Sequence, residues 1–497
     1  MGLTLDRPAI RRLRFAPLAS RIFTRVAPLA LLLAACGDAP PAIPPPDDAF
    51  YFPTGLALRH KPPGCTGGSF GCTTQLIVGS SNFDLRYDPV LGGRITSVDV
   101  KTAVELALAR QLADPLSAPP ALDPSNGRLG TVRVGSFGGE VAVLDGDSCP
   151  GWTGPPQALV ASRSQNALYR VDLEGFGDAL KSPLDASLAD PYGVTLACGN
   201  FPAIDAPLAA PVAQALAFVT YLRAPNTHGW LSRIDLTDNT LTAIDVGTVP
   251  THSAVFDPAS TRLYATSRFG AIGYSPLRWL TLATPSAVPI AVNVFDVVRG
   301  AELRGIALSS DGTATAPPTR AYLALRIYDV AAATSSGTRP GNDLAGALAV
   351  MDLSETSAGR PSTKILNVVP LDRGATEVRV IPRTGLRDLV AVTSTDDSTL
   401  TLYDDETGSI AKVFAVCSAV PGAGDPSAPA PCQDGRPLLG KQPFGLAAER
   451  FTDGTRELAR LYVGSFDRGW VNVITIDPLQ PSAAPDSWAR IGPERPQ

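Results

Sequence analysis

A histidine and a glutamate occupy positions that this chain otherwise gives to glycine. Seven short apolar strands open seven similar stretches of sequence. The third position of their shared motif reads Gly55, Gly139, Gly193, His252, Gly305, Glu377 and Gly445. Glycine has a reason to be there if these strands crowd a narrow axis, where backbone approaches backbone. An imidazole and a carboxylate facing one cavity can move protons or hold a cation. Together with Arg304 they form the candidate catalytic set: His252, Glu377 and Arg304. The plainer expectation is that both are polar residues solvated in a water-filled channel, two repeats apart.

A second set is basic. Arg86, Arg163, Arg268, Arg326 and Arg468 each follow the second strand of a repeat. Phe83, Tyr87, Phe269, Tyr328, Phe466 and Trp470 lie close to them in sequence. Guanidinium groups gathered on an otherwise acidic chain can bind a carboxylate, a phosphate or an acidic partner surface. Against this stands local use, in which each Arg pairs with a neighbouring Asp or stacks on its own aromatic. Gly67-Gly68-Ser69-Phe70-Gly71 matches the spacing of a nucleophile elbow. It lacks the strand–turn–helix setting that such an elbow needs. Asp145-Gly146-Asp147 and Asp404-Asp405-Glu406 are acidic, but neither has the ligand spacing of a calcium loop. With three His, no Cys-x-x-Cys and five Trp, the chain suggests no metal site and no cofactor.

The seven cysteines divide into Cys36 and six others: Cys65, Cys72, Cys149, Cys198, Cys417 and Cys432. An even number in an exported chain suggests disulfides, with fifteen pairings possible. Short loops close most easily, which favours Cys65–Cys72, Cys149–Cys198 and Cys417–Cys432.

Regular elements must position these side chains. Each repeat has a strand led by Pro-x-Gly, a strand ending in Val-Gly-Ser or a variant, and a strand ending in an apolar–Asp step. The last copy is the cleanest: Pro443–Ala447, Leu461–Ser465 and Val471–Asp477. A fixed repeat means stacked copies of one supersecondary unit. First strands are expected at Pro53–Leu58, Gly139–Leu144, Pro191–Ala197, His252–Phe256, Arg304–Leu308, Thr376–Ile381 and Pro443–Ala447. A fourth strand per unit is expected at places such as Val132–Ser136 and Trp488–Ile491. Four short strands per unit, closed in a ring, make an all-β propeller. Seven blades are expected. Eight follow if Val132–Asp145 forms a pair of its own. Residues 53–497 allow about 64 residues per blade, against ~40–45 in a compact propeller repeat. The excess falls in loops near 101–130, 175–190, 310–320 and 417–440. Gly 45 and Pro 47 suit many strands joined by turns. A formal charge of −5 argues against nucleic acid as the main partner.

The motif Pro-x-Gly-[Leu/Val]-Ala, then Leu-Tyr-Val-Gly-Ser, then Val-x-Val-Ile-x-Ile-Asp resembles the YVTN-type β-propeller repeat. The match is good at 443–477 and fair at 53–100 and 191–247. This chain departs from it by carrying Gly-Ser where Asn or Asp often follows the second strand. The resemblance implies the fold. Its functional range is broad, covering surface-layer, binding and lactonase-like proteins.

At the N-terminus, Arg7, Arg11, Arg12, Arg14, Arg21 and Arg25 precede a short apolar run, Val26–Ala35, too short to span a bilayer. Leu33-Ala34-Ala35-Cys36-Gly37 resembles a bacterial lipobox, which implies lipidation at Cys36 after removal of residues 1–35. The Pro-rich segment 36–50 then reads as a tether, and 51–497 as the propeller. The chain is therefore expected to be a monomeric cell-envelope lipoprotein, anchored outside the cytoplasm. It would bind or scaffold an envelope protein or glycan. The alternative is a lactonase-like hydrolase acting at the channel mouth, which requires His252 and Glu377 to meet within about one water-bridged hydrogen bond.

Overall fold

Seven four-stranded antiparallel sheets, each using its strands in chain order, account for the architecture. The computed structural model describes residues 43–493 except 63, 65–71, 114–118, 203–211, 224–227, 248–249, 269–275, 285–287, 293, 295–300, 314, 328–344 and 416–438. The innermost strands are Pro53–Lys61, Gly138–Leu144, Pro191–Phe201, Thr251–Asp257, Ala301–Leu308, Ala375–Ile381 and Pro443–Asp453. The molecule is a seven-bladed β-propeller. Val132 lies in the outer strand of blade 1, Arg128–Val134, and Gly138–Leu144 opens blade 2, so no eighth blade forms. Cys36 and residues 1–35, Cys65, Cys417, Cys432, Phe269, Tyr328 and all of Gly67–Gly71 lie outside the described residues. No helix among the described residues is long and apolar enough to cross a membrane.

The sequence folds this way because each strand is apolar on both faces. Along the second strand of blade 1, Leu76 and Val78 face blade 7, while Ile77 faces blade 2. The same alternation repeats round the ring, so the apolar side chains gather into a core at every blade interface. A blade alone would leave both of its faces wet, and stacking buries them.

Six interfaces are also bridged by chain running from one blade into the next. The interface between blades 7 and 1 has no such link, and three features hold it. Val100–Ala113, inside the expected 101–130 insertion, is a helix rather than a loop. Asp99 caps it, its Oδ1 accepting from the Thr102 N–H at 2.8 Å. Val100, Ala103, Val104 and Ala107 form one buried stripe against Val78, Ala489 and Ile491. The segment before the first strand is the second feature. Phe50 is fully buried against the Gly492 backbone and Leu122, and Arg94 Nη2 donates to the Pro45 carbonyl at 2.9 Å. The third is polar. Glu449 of blade 7 accepts hydrogen bonds from Thr74 of blade 1 (2.9 Å) and from Tyr462, and meets His60 Nε2 of blade 1 at 3.1 Å.

Cys149 and Cys198 form the expected disulfide. Cys198 lies within the innermost strand of blade 3 and Cys149 in the loop after that of blade 2, so the bond ties two blades together.

Candidate functional site

Every innermost strand breaks register with its neighbour at the same place, close to its start. Pairing has resumed by Leu56 (in blade 1 already at Gly55), Val141, Val194, Ala254, Ile306, Val378 and Leu446. The two residues before each of them form two rings round the channel. The outer ring, at the mouth, is Thr54, Gly139, Tyr192, His252, Arg304, Thr376 and Phe444. The inner ring is Gly55, Glu140, Gly193, Ser253, Gly305, Glu377 and Gly445. Bulges of this kind re-aim side chains beside functional sites.

This register corrects two positions. Gly139 and His252 belong to the mouth ring, and the third motif position holds Glu140 and Ser253 instead. His252 and Glu377 therefore sit at different depths, and they do not hydrogen-bond to each other. Glu140 was missed because Gly138-Gly139 offers two glycines to a Pro-x-Gly match. Pairing of Val141 with Val160 sets the true phase. The inner ring alternates small and large. Glycines on blades 1, 3, 5 and 7 flank Glu140, Ser253 and Glu377. A Cβ at Gly193 would come within 2.7 Å of Glu140 Oε2.

Threonines lock the bulges. Thr220 accepts from the Gly193 N–H (2.8 Å) and donates to the His252 carbonyl of the next blade (2.6 Å). Thr266 accepts from the Ser253 N–H (3.1 Å) and donates to the Arg304 carbonyl (2.6 Å). Thr393 does the same between Glu377 and Phe444, at 3.1 and 3.4 Å. A hydroxyl recurring at one position of the second strand was the available sequence signal.

The mouth has two unlike halves. Across blades 3 to 6 it is basic. Burial holds His252 well below the ordinary imidazole range, and the charges of Arg304, Arg268 and Arg326 add to that effect. His252 is thus neutral, with its ring 4.7 Å from that of Tyr192 and no hydrogen-bond partner at Nδ1. Arg304 pairs with Glu302 at 3.0 Å. Arg268 is lowered to about 10, first by burial and then by Arg304. Arg326 donates to Thr376, Thr395 and the Gly374 carbonyl.

Across blades 7, 1 and 2 the mouth is aromatic. Phe444 of the mouth ring packs on Phe466 (6.0 Å between ring centres). Phe466 packs on Phe52 (4.8 Å) and Phe83 (5.3 Å), and Phe83 on Phe137 (5.6 Å). Phe83, Leu85, Val90 and Leu91 are exposed there. The other expected arginines border this half. Arg163 lies over Phe137 and meets Asp190 at 3.3 Å, Arg86 lies 3.7 Å from Asp84, and Arg468 lies 3.7 Å from Asp467. Asp145 and Asp404 accept main-chain N–H groups within their turns. Among the described residues no group of three or more His, Cys, Asp or Glu is placed to hold a metal ion.

Below the rings, Arg379 is a large polar residue where the other blades carry Ala57, Ala142, Thr195, Val255, Ala307 and Ala447. Its Nη1 lies 3.2 Å from Glu377 Oε2. It lines two cavities of about 410 and 310 Å³, the larger also bounded by Glu140, Ser253, Phe256 and Ile306.

No family model and no curated protein matches this chain. Solved structures do resemble it. Dihydro-heme d1 dehydrogenase NirN in complex with DHE shares 13% identity over 85% of this chain, with a TM-score of 0.41. This chain spans only 64% of the NirN chain. The Cps50 (Swd1) β-propeller domain of Myceliophteria thermophila shares 11% identity over 86% of this chain and 99% of its own, with a TM-score of 0.45. BBS1N in complex with ARL6DN shares 9% identity over 87% and 97%, also at 0.45. At such identities the likeness is one of fold, and no activity follows from it.

Proposed function

We propose that this chain is a non-enzymatic binding propeller of the bacterial cell envelope, lipidated at Cys36 and displaying its mouth face to a protein partner. The divided mouth carries this reading. An aromatic half with exposed Phe83, Leu85, Val90 and Leu91 adjoins a half built on Arg268, Arg304 and Arg326. That surface suits a segment placing an apolar side chain next to an acidic one. The different depths of His252 and Glu377 favour binding over hydrolysis, because a catalytic pair must share one reacting atom. The lipobox-like Leu33–Cys36 supports anchoring.

A photo-crosslinking amino acid at position 83 of the full-length chain in intact cells tests this. We expect discrete protein adducts that disappear with Arg268→Ala/Arg326→Ala and are absent with the probe at exposed Leu180 of blade 2. Identical products from positions 83 and 180, or none from 83, would overturn the binding role. Retention of Cys36→Ser in the membrane fraction would overturn the anchor.

A further inference from the structure

We propose that the inner ring is a binding site for a small primary ammonium ion, held between Glu140 and Glu377. Both carboxylates are buried, with Glu140 8% and Glu377 2% exposed. Each has one oxygen, Oε1, without a hydrogen-bond partner. A buried carboxylate oxygen left without a donor costs free energy, so two of them on the inner ring call for a group that donates. Electrostatics gives its sign. Arg379 is shared, pairing with Glu377 and also acting on Glu140. An added positive charge would let both carboxylates ionise where burial otherwise keeps protons on them. Burial raises Glu140 out of the ordinary carboxyl range, and Glu377, three blades away round the ring, raises it further. A cation arriving between the two would remove that repulsion.

The cavity fixes the rest of the ligand. Its volume of about 410 Å³ is at the small end for ligand pockets. Val194, Phe256 and Ile306 give it an apolar wall, Glu140 and Ser253 stand at the inner ring, and Asp257 and Arg379 also border it, with Arg379 linking it to Glu377. The ligand is therefore amphipathic, with an ammonium head and a short apolar body. A bare divalent cation fits worse, because calcium takes six to eight oxygen ligands and two carboxylates leave most of that shell unfilled.

Butylammonium and 1-butanol, titrated separately into the full chain by calorimetry, test the site. The amine should bind saturably and at least tenfold more tightly than the alcohol. Glu140→Gln, near-isosteric, should weaken the amine at least tenfold and leave the alcohol unchanged. Glu377→Gln provides an independent variant if Glu140→Gln fails to fold. Equal affinity of wild-type protein for amine and alcohol, no saturable binding of the amine, or full affinity in a folded Gln variant would each overturn the proposal. Position 83 plays no part in this measurement, so its outcome is separate from that of the mouth-face reading.

Discussion

Thr266 shows how much of this channel depends on single hydroxyl groups. It receives the Ser253 N–H and donates to the Arg304 carbonyl, joining blade 4 to blade 5 beside the neutral His252. Thr266→Val keeps the shape and strands two buried main-chain groups. We expect a loss of about 2–3 kcal/mol in urea unfolding. A change below ~0.5 kcal/mol would show that the hydroxyl does not bear on stability. His252 and Glu377 were visible as breaks in a glycine pattern, and Glu377 does lie in the inner ring. Glu140 was not visible, because the phase of one strand rests on which residue pairs with Val160. A shift of one residue moves every side chain to the opposite face. The five arginines were legible as a group on one end of the blades. Asp84 and Asp467 are sequence neighbours of Arg86 and Arg468, whereas Asp190, the partner of Arg163, comes from a turn distant in sequence.

Strands were the easiest elements to foresee, since apolar runs, turn residues and the repeat all agree on them. The helix Val100–Ala113 stands where the sequence suggests a loop, although Val100, Ala103, Val104 and Ala107 have helical spacing. An insertion between strands draws attention away from such a stripe. The helix acts at the blade 7–blade 1 seam, so damage to it should register as loss of ring closure. Asp99→Ala removes its cap and should cost about 1 kcal/mol. Ala103→Glu places a charge in the apolar seam and should cost about 2–4 kcal/mol. Glu105→Ala, on the exposed face, should be neutral within ~0.5 kcal/mol. If all three variants unfold at the wild-type urea midpoint, the helix is decoration on a ring closed by other means.

The whole molecule should lose stability as the solution becomes alkaline. Its hydrogen bond to Glu449 raises His60 above its ordinary 6.5, against the opposing effect of burial. A raised histidine stabilises the fold at low pH, and that contribution is lost as pH climbs through the folded-state value. Glu140 and Glu377, both raised first by burial, act in the same direction, since the folded state holds their protons more tightly than the unfolded chain. Glu449 works at the other end. Burial pushes it up, but hydrogen bonds from His60 and Tyr462 and the Arg460 charge outweigh that, and it ends below 4.5. Its contribution disappears only in acid. The thermal midpoint should therefore peak between about pH 5 and 6 and fall towards pH 9. Glu140→Gln should flatten the alkaline limb, and His60→Gln should flatten it near neutrality. A midpoint that rises from pH 6 to 9 would contradict this account.

Gly492 lies against Phe50, so the described chain enters and leaves the ring at one point, with no strand lent from one end to the other. Such a ring has a socket. At this boundary a duplicated repeat can be gained or lost without severing a blade or a loop. Blade number here is a matter of how many wedges fill the circle, and the helix of blade 1, seated on Ala489 and Ile491 of blade 7, is the clasp at that joint.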